Sequence, residues 1–410
     1  MAPIGKQRTI LVLAIASQAA YSLISFGLPA IALQIRHRLD VGVAGFGAVF
    51  AAVSLGSALA LIPAGMLVDR LGARWVLVAG GIVNGLGTLA AATMTSAWGF
   101  SASLLIAGIG GSAVPVAGMS SLMRVFAPEK RGVVMGWRQL AVPLGGTIGA
   151  VALPLLADAG GVRLALIACA IAVTTTSVAF GVLVAHAPAA GAVGGRGGLG
   201  GLGEVLRVPG IRPALVVAFT YIIGLTAVLT YYIPAVRSAG LTRSDAAIGF
   251  VLVNVVAGIS RPLWGRRADR GGGTRRTRTL RETGMVGAVA AVAILPALHA
   301  GVVPGLAATA VLAFGVFGFN GIVYLLVGEL AGSARSGVAV GVASTVIFGA
   351  GAIVAPVAGL AVEHLGYGAL WAMTAAAGAG GAAIAWRWLP GAAAPATGVP
   401  LGDAEARSYP

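Results

Sequence analysis

Apolar runs of about twenty residues recur along this chain, separated by short polar turns. A run of that length matches the ~30 Å hydrocarbon core of a bilayer when it is helical. Twelve such runs are readable, near 10–34, 44–67, 75–95, 100–124, 133–157, 163–185, 211–236, 246–265, 283–301, 303–328, 338–361 and 366–388. Composition agrees: 58% of the 410 residues are hydrophobic and only 10% are charged, against about 25% charged in an ordinary soluble domain. The 64 glycines suit close packing of membrane helices. The first run follows Lys6 and Arg8 like a signal peptide, but stays apolar to about Ile35. It reads as a retained first helix. The expected fold is an all-α polytopic membrane protein of twelve transmembrane helices.

The formal net charge of +15 would suggest nucleic acid as a partner of a soluble protein. Once the spans are set aside no basic soluble domain remains, so no nucleic-acid partner is expected. The basic residues instead set an orientation. Of the 27 Lys and Arg, Arg36, Arg38, Arg163, Arg237 and Arg243 fall on one side, and Arg138 and Arg261 fall inside spans. The other twenty share the side of the two termini. That bias places both termini in the cytoplasm, with a bacterial inner membrane as the compatible location and lipid as the surrounding partner. The single cysteine, Cys169, permits no internal disulfide and no cysteine metal cluster. His37, His186, His299 and His364 lie in or near loops without metal spacing. No phosphate-binding Gly-rich loop is present, so neither an enzyme nor an ATP-driven pump is expected. No cofactor is implied.

Residues 186–210 are Gly- and Ala-rich and read as a cytoplasmic linker, with a short surface helix near Leu202 to Arg207. The linker divides a first six-helix unit, 1–185, from a second, 211–388, and a tail, 389–410, reads as disordered. The two units resemble each other. Asp69, Arg70 and Gly72 match Asp269, Arg270 and Gly272 at an offset of 200; Asp158 and Gly161 match Glu363 and Gly366 at 205. Matches that keep order and register argue for two parallel repeats.

The turn between spans two and three, "GMLVDRLGARW", resembles the G-x-L-x-D-R-x-G-x-R signature of the major facilitator superfamily, with Gly65, Leu67, Asp69, Arg70, Gly72 and Arg74 in place. That resemblance implies two pseudo-symmetric six-helix bundles around a central cavity, working by alternating access. It also implies a gating role for Gly65, Asp69, Arg70, Gly72 and Arg74, with Asp69 near the N-terminus of span eleven. Asp269 and Arg270 form the second, degenerate copy, with Asp269 facing span five. A carboxylate is favoured at a helix N-terminus, where N–H groups are unpaired. The alternative is a plain turn with solvated charges. Three features depart from the family pattern. Position 104 is Leu where an arginine often stands. The span-five exporter motif survives only as "LAVPLGG". Arg266 replaces the Met66 of the better copy.

Ionisable residues inside spans are costly, so each needs a reason. Arg138, in "MGWRQLAVPLGG", and Arg261, in "ISRPLWGRRADR", lie at similar depth in spans five and eight, one from each half. Two forked guanidiniums suit a bound carboxylate. "SRPLWG" also resembles the eighth span of facilitators for small anions such as monocarboxylates, oxalate and nitrate, where an arginine contacts substrate. The alternatives are guanidiniums that snorkel to the surface, pair with Glu329, or hydrogen-bond to carbonyls of span four. Gln139, Asn254, Asn320, Tyr324 and Tyr21 are further candidate substrate contacts. Glu329 is the candidate proton-coupling acid; its other reading is an ion pair with Arg270 or Arg335. The expected function is secondary transport of a small, monocarboxylate-like anion by a monomer, through proton symport or anion exchange. The alternatives are an exporter of drug-like or secondary-metabolite molecules and a non-transporting receptor.

Overall fold

The computed structural model describes residues 4–126, 128–184, 199–269, 272–332 and 336–389. Those residues are helical apart from short turns. In lipid a helix satisfies its backbone polar groups internally, which is why apolar runs take this form. Ten apolar helices are long enough to cross a membrane. Two of them, within Pro128–Leu183 and Ser336–Trp388, are far too long for one crossing. Each turns back at a glycine outside the helical region, Gly161 (φ 71°, ψ 178°) and Gly366 (φ 77°, ψ 179°). A side chain is strained at that φ, so glycine stands at both. The result is twelve spans, and an even number returns both ends to one face, called the terminal face below. The opposite face is the far face.

The twelve spans form two six-helix bundles, and the breaks repeat between them. Span four divides at Ser112 into Ala97–Gly111 and Ala113–Val125. Span ten divides at Phe317 and Gly318 into Val302–Val316 and Phe319–Ala331. Those breaks differ by the same 205 residues as Gly161 and Gly366. Span one is irregular for a local reason. Pro29 lacks an N–H and crowds the preceding turn, and the helix Ile4–Ser22 passes through a π turn, Leu23–Gly27, and a 3-10 turn, Leu28–Ile31, before Ala32–Leu39.

Helices outrun the apolar runs at the terminal face. Span nine, expected from residue 283, begins at Gly272. Its polar first turns are held by ion pairs, Arg267 with Glu282 at 2.5 Å and Arg278 with Glu282 at 3.2 Å. Hydropathy reads where the membrane begins, while these helices continue into water. For the same reason the stretch from Gly265, the second copy of the signature turn, is the last turn of the helix Arg243–Asp269. In the first copy Val43–Leu71 is helical and Gly72 (φ 82°) makes the turn. The linker's described end is a short helix, Leu199–Arg207; positions 185–198 and the tail from 390 lie outside the described residues. Trp75, Trp137, Trp386 and Trp388 are exposed near the terminal face and Trp98 at the far face, as expected of rings at membrane–water interfaces.

The bundles join on the far half of the molecule. Arg243 pairs with Asp158 at 2.8 Å, and Glu363 accepts the Ala44 N–H at 2.8 Å. The Tyr231 hydroxyl donates to Ala355 O at 2.5 Å and packs on Gly47 of span two. Gly146 of span five lies against Asn254 of span eight, and Gly258 against Pro143. Toward the terminal face this ends. A Cβ added at Gly65 would meet only Val116 of its own bundle, and one added at Gly265, Gly341 or Gly349 would meet nothing within 4 Å. The bundles are splayed toward the terminal face.

Candidate functional site

Spans five and eight run antiparallel, and their contacts keep one register: Asp158 with Arg243, Gly146 with Asn254, Pro143 with Gly258. Further toward the terminal face, a Cβ added at Gly265 of span eight would meet nothing within 4 Å. Arg138 lies five residues further along span five and Arg261 three residues further along span eight, ~7.5 and ~4.5 Å along their helices. Both arginines therefore stand just to the terminal side of the Pro143–Gly258 contact, at nearly one depth.

Their surroundings differ. Arg261 is half-buried, deep in the protein, and close enough to Tyr324 of span ten for their charges to interact. Among the described residues its guanidinium has no hydrogen bond and no ion pair. The wall around it is fixed. One turn on, Trp264 donates from Nε1 to Phe314 O at 2.9 Å and packs on the Phe314 ring at 5.0 Å. Gly318 makes room for that indole. The Tyr324 hydroxyl also meets Ser344 of span eleven. Asn320, four residues before Tyr324 and so on its face, has its Oδ1 buried without a hydrogen-bond partner among the described residues. Arg261, Tyr324, Asn320 and Ser344 thus gather on the second bundle's wall.

Arg138 is only 2% exposed and is held within its own bundle. Its Nη2 donates to Gln18 Oε1 at 2.8 Å, Val114 O at 2.9 Å and Pro115 O at 3.4 Å. Val114 and Pro115 follow directly on the span-four break at Ser112. No carboxylate pairs with Arg138 among the described residues, so carbonyl and amide dipoles alone offset the buried charge.

The other candidates scatter. Gln139 is exposed beside Arg138. Asn254 donates to Phe250 O at 2.9 Å and packs on Gly146, in the bundle joint rather than beside Arg261. Tyr21 bonds Ser57 at 2.9 Å and packs on Gly111, inside the first bundle. Glu329 pairs with Arg276 of span nine near the terminal face. The two arginines expected for that pair, Arg270 and Arg335, lie outside the described residues. In the signature turn Arg70 is exposed and Arg74 lies over the Trp75 ring at 5.5 Å. The side chains of Asp69 and Asp269 are likewise outside the description. Gln18 was readable only as a polar residue in span one; its role as the partner of Arg138 needs the fold. Ser344 carries no sequence signal beyond a hydroxyl in an apolar run.

Comparison with known proteins agrees with this architecture. No curated protein matches the chain. Among solved structures, the crystal structure of a D-xylose-proton symporter superposes with a TM-score of 0.73 at 14% identity, over 93% of this chain and 97% of that one. At that identity the likeness speaks for the fold. The family model of the Major Facilitator Superfamily matches residues 10–356. This multi-pass membrane protein belongs to the Major Facilitator Superfamily and is a secondary transporter.

Proposed function

We propose that the chain carries a small anion, monocarboxylate-like in size and charge, and that its termini are cytoplasmic, so the splayed arrangement faces inward. One observation carries the reading: the half-buried Arg261 guanidinium has no counter-charge among the described residues and lies near Tyr324, whose helix face also carries Asn320 with an unpartnered Oδ1. An unpaired buried cation is costly unless something pairs with it. A carboxylate meets the forked donors of arginine in a planar, bidentate way. Arg138, enclosed in the other bundle at nearly the same depth, adds positive charge where Gln18 and span four hold it. By sequence, five basic residues fall on the far side and twenty on the side of the termini, which fits the cytoplasmic assignment of the termini by the positive-inside rule.

A ligand that binds the folded chain raises its stability by mass action. Thermal unfolding of the purified protein against acetate, lactate, oxalate and nitrate is expected to show stabilisation by at least one, lost in Arg261→Ala. Stabilisation by none of them, with equal concentrations of neutral or cationic solutes stabilising instead, contradicts the anion reading. Coupling is assigned to Glu329, the acid at the inner end of span ten. Glu329→Gln is expected to abolish proton-driven accumulation while anion exchange continues; unchanged accumulation removes Glu329 from the coupling path.

A further inference from the structure

The positive-inside rule disfavours arginine on the far face, and only five of the 27 basic residues stand there. Four of the five, Arg38, Arg163, Arg237 and Arg243, line one cavity of about 600 Å³ between the bundles, together with His37. Spans one, five, six, seven and eight all contribute to it. That volume is within the usual range for a small-solute site.

Most of this charge has no acid beside it. Arg243 pairs with Asp158. Arg38 donates from Nη2 to Ala92 O at 2.7 Å and Met94 O at 2.9 Å, and Arg237 from Nη1 to Leu241 O at 2.7 Å. Carbonyls fix these two guanidiniums in place without neutralising them. Arg163, two residues after the Gly161 turn, has no hydrogen bond or ion pair among the described residues, and lies close enough to Arg38 to repel it. Of the other far-face acids, Asp245 accepts from Thr242 and Glu363 from the Ala44 N–H, while Asp40, at the end of span one, is not among the residues that line the cavity. Like charges converging on a cavity are unfavourable until an anion joins them.

We propose that this cavity is a second anion site, separate from Arg261, that takes a small oxyanion such as a phosphate or carboxylate on Arg38, Arg163 and Arg237. Arg243 is both a wall of the cavity and one end of a bundle-joining pair, so a bound oxyanion competes with Asp158 for it. The inference extends the anion reading without depending on the site at Arg261.

Binding of radiolabelled inorganic phosphate to the full chain in phosphatidylcholine nanodiscs tests it, in the Arg261→Ala background to remove the central site. Phosphate binding is expected to persist there. The further change Arg163→Gln/Arg237→Gln is expected to weaken it ten-fold or more, and Arg163→Lys/Arg237→Lys to retain most of it. Asp158→Asn, which frees Arg243, is expected to strengthen it several-fold, while Asp40→Asn, the same charge change off the cavity, leaves it within two-fold. Phosphate binding that is absent in the Arg261→Ala chain, or indifferent to Arg163 and Arg237, overturns the site. Failure of the central reading looks different: anion uptake that survives Arg261→Ala, whatever the far face does. Repeating the titration with phosphatidylglycerol separates two sources of the same chemistry. Suppressed phosphate binding identifies a lipid headgroup as the occupant, and undiminished binding a free solute; either result keeps the site.

Discussion

Arg138 and Arg261 stand at nearly the same depth on facing bundles, and the protein treats them in opposite ways. Arg138 is enclosed, tied to Gln18 and to two carbonyls of span four. Arg261 stands on a firm wall with its guanidinium unpartnered among the described residues, near Tyr324. Depth in the membrane fixes the cost of a charge, while the surrounding partners fix what the charge does. A guanidinium bound to its own bundle shapes that bundle and adds a fixed field. A guanidinium without partners is free to bind cargo.

Four substitutions sharpen or break this contrast, beginning with the largest effect. Arg261→Ala is expected to lower kcat/KM for anion transport at least a hundred-fold, since truncating one side of a buried charge contact costs about 2–5 kcal/mol. Near-normal thermal stability should accompany that loss; an equal collapse of stability and transport would make Arg261 structural. Arg138→Ala should show the reverse emphasis. It strands Gln18 Oε1, a penalty of about 1–3 kcal/mol, read as a melting temperature lower by several degrees. Full stability with abolished binding would move Arg138 to direct cargo contact. Gly146→Val places a branched side chain against Asn254 in the bundle joint. Overpacking of about 1–3 kcal/mol is expected to favour the state open on the far face, seen as longer spin-label distances between the far ends of spans five and eight. Unchanged distances would mean that the joint yields locally. Tyr324→Phe keeps the ring and removes the hydroxyl near Arg261, with a several-fold rise in KM expected. A rise as large as that of Arg261→Ala would give Tyr324 the leading part.

Much of the architecture was legible because membrane burial writes a strong pattern. All twelve runs have helices over them, and Gly161 and Gly366, matched by register alone, share one backbone conformation. What hydropathy could not show was helix continuing into water, as at Gly272 and through Asp269, where ion pairs replace lipid. The cost of charge in lipid singled out Arg138 and Arg261, and both stand just to the terminal side of the Pro143–Gly258 contact. The partners of each were illegible, because partner choice depends on helix rotation and tilt. Asn254 is a candidate substrate contact by sequence, yet seven residues of helix separate it from Arg261 and carry it to the joint. Asp158 and Glu363 appeared only as a repeat match, and both proved to join the bundles. The four far-face arginines come from three separate turns, and only folding brings them around one cavity.

The most direct measurement is uptake of labelled acetate, lactate, oxalate and nitrate into proteoliposomes by the wild-type chain and by folded Arg261→Ala, Arg261→Lys and Gln18→Ala variants. The wild type is expected to take up at least one anion, Arg261→Ala none of it, Arg261→Lys a small fraction, and Gln18→Ala a substantial share. Uptake by Arg261→Ala at the wild-type rate would contradict the assignment of the cargo site to the unpartnered arginine.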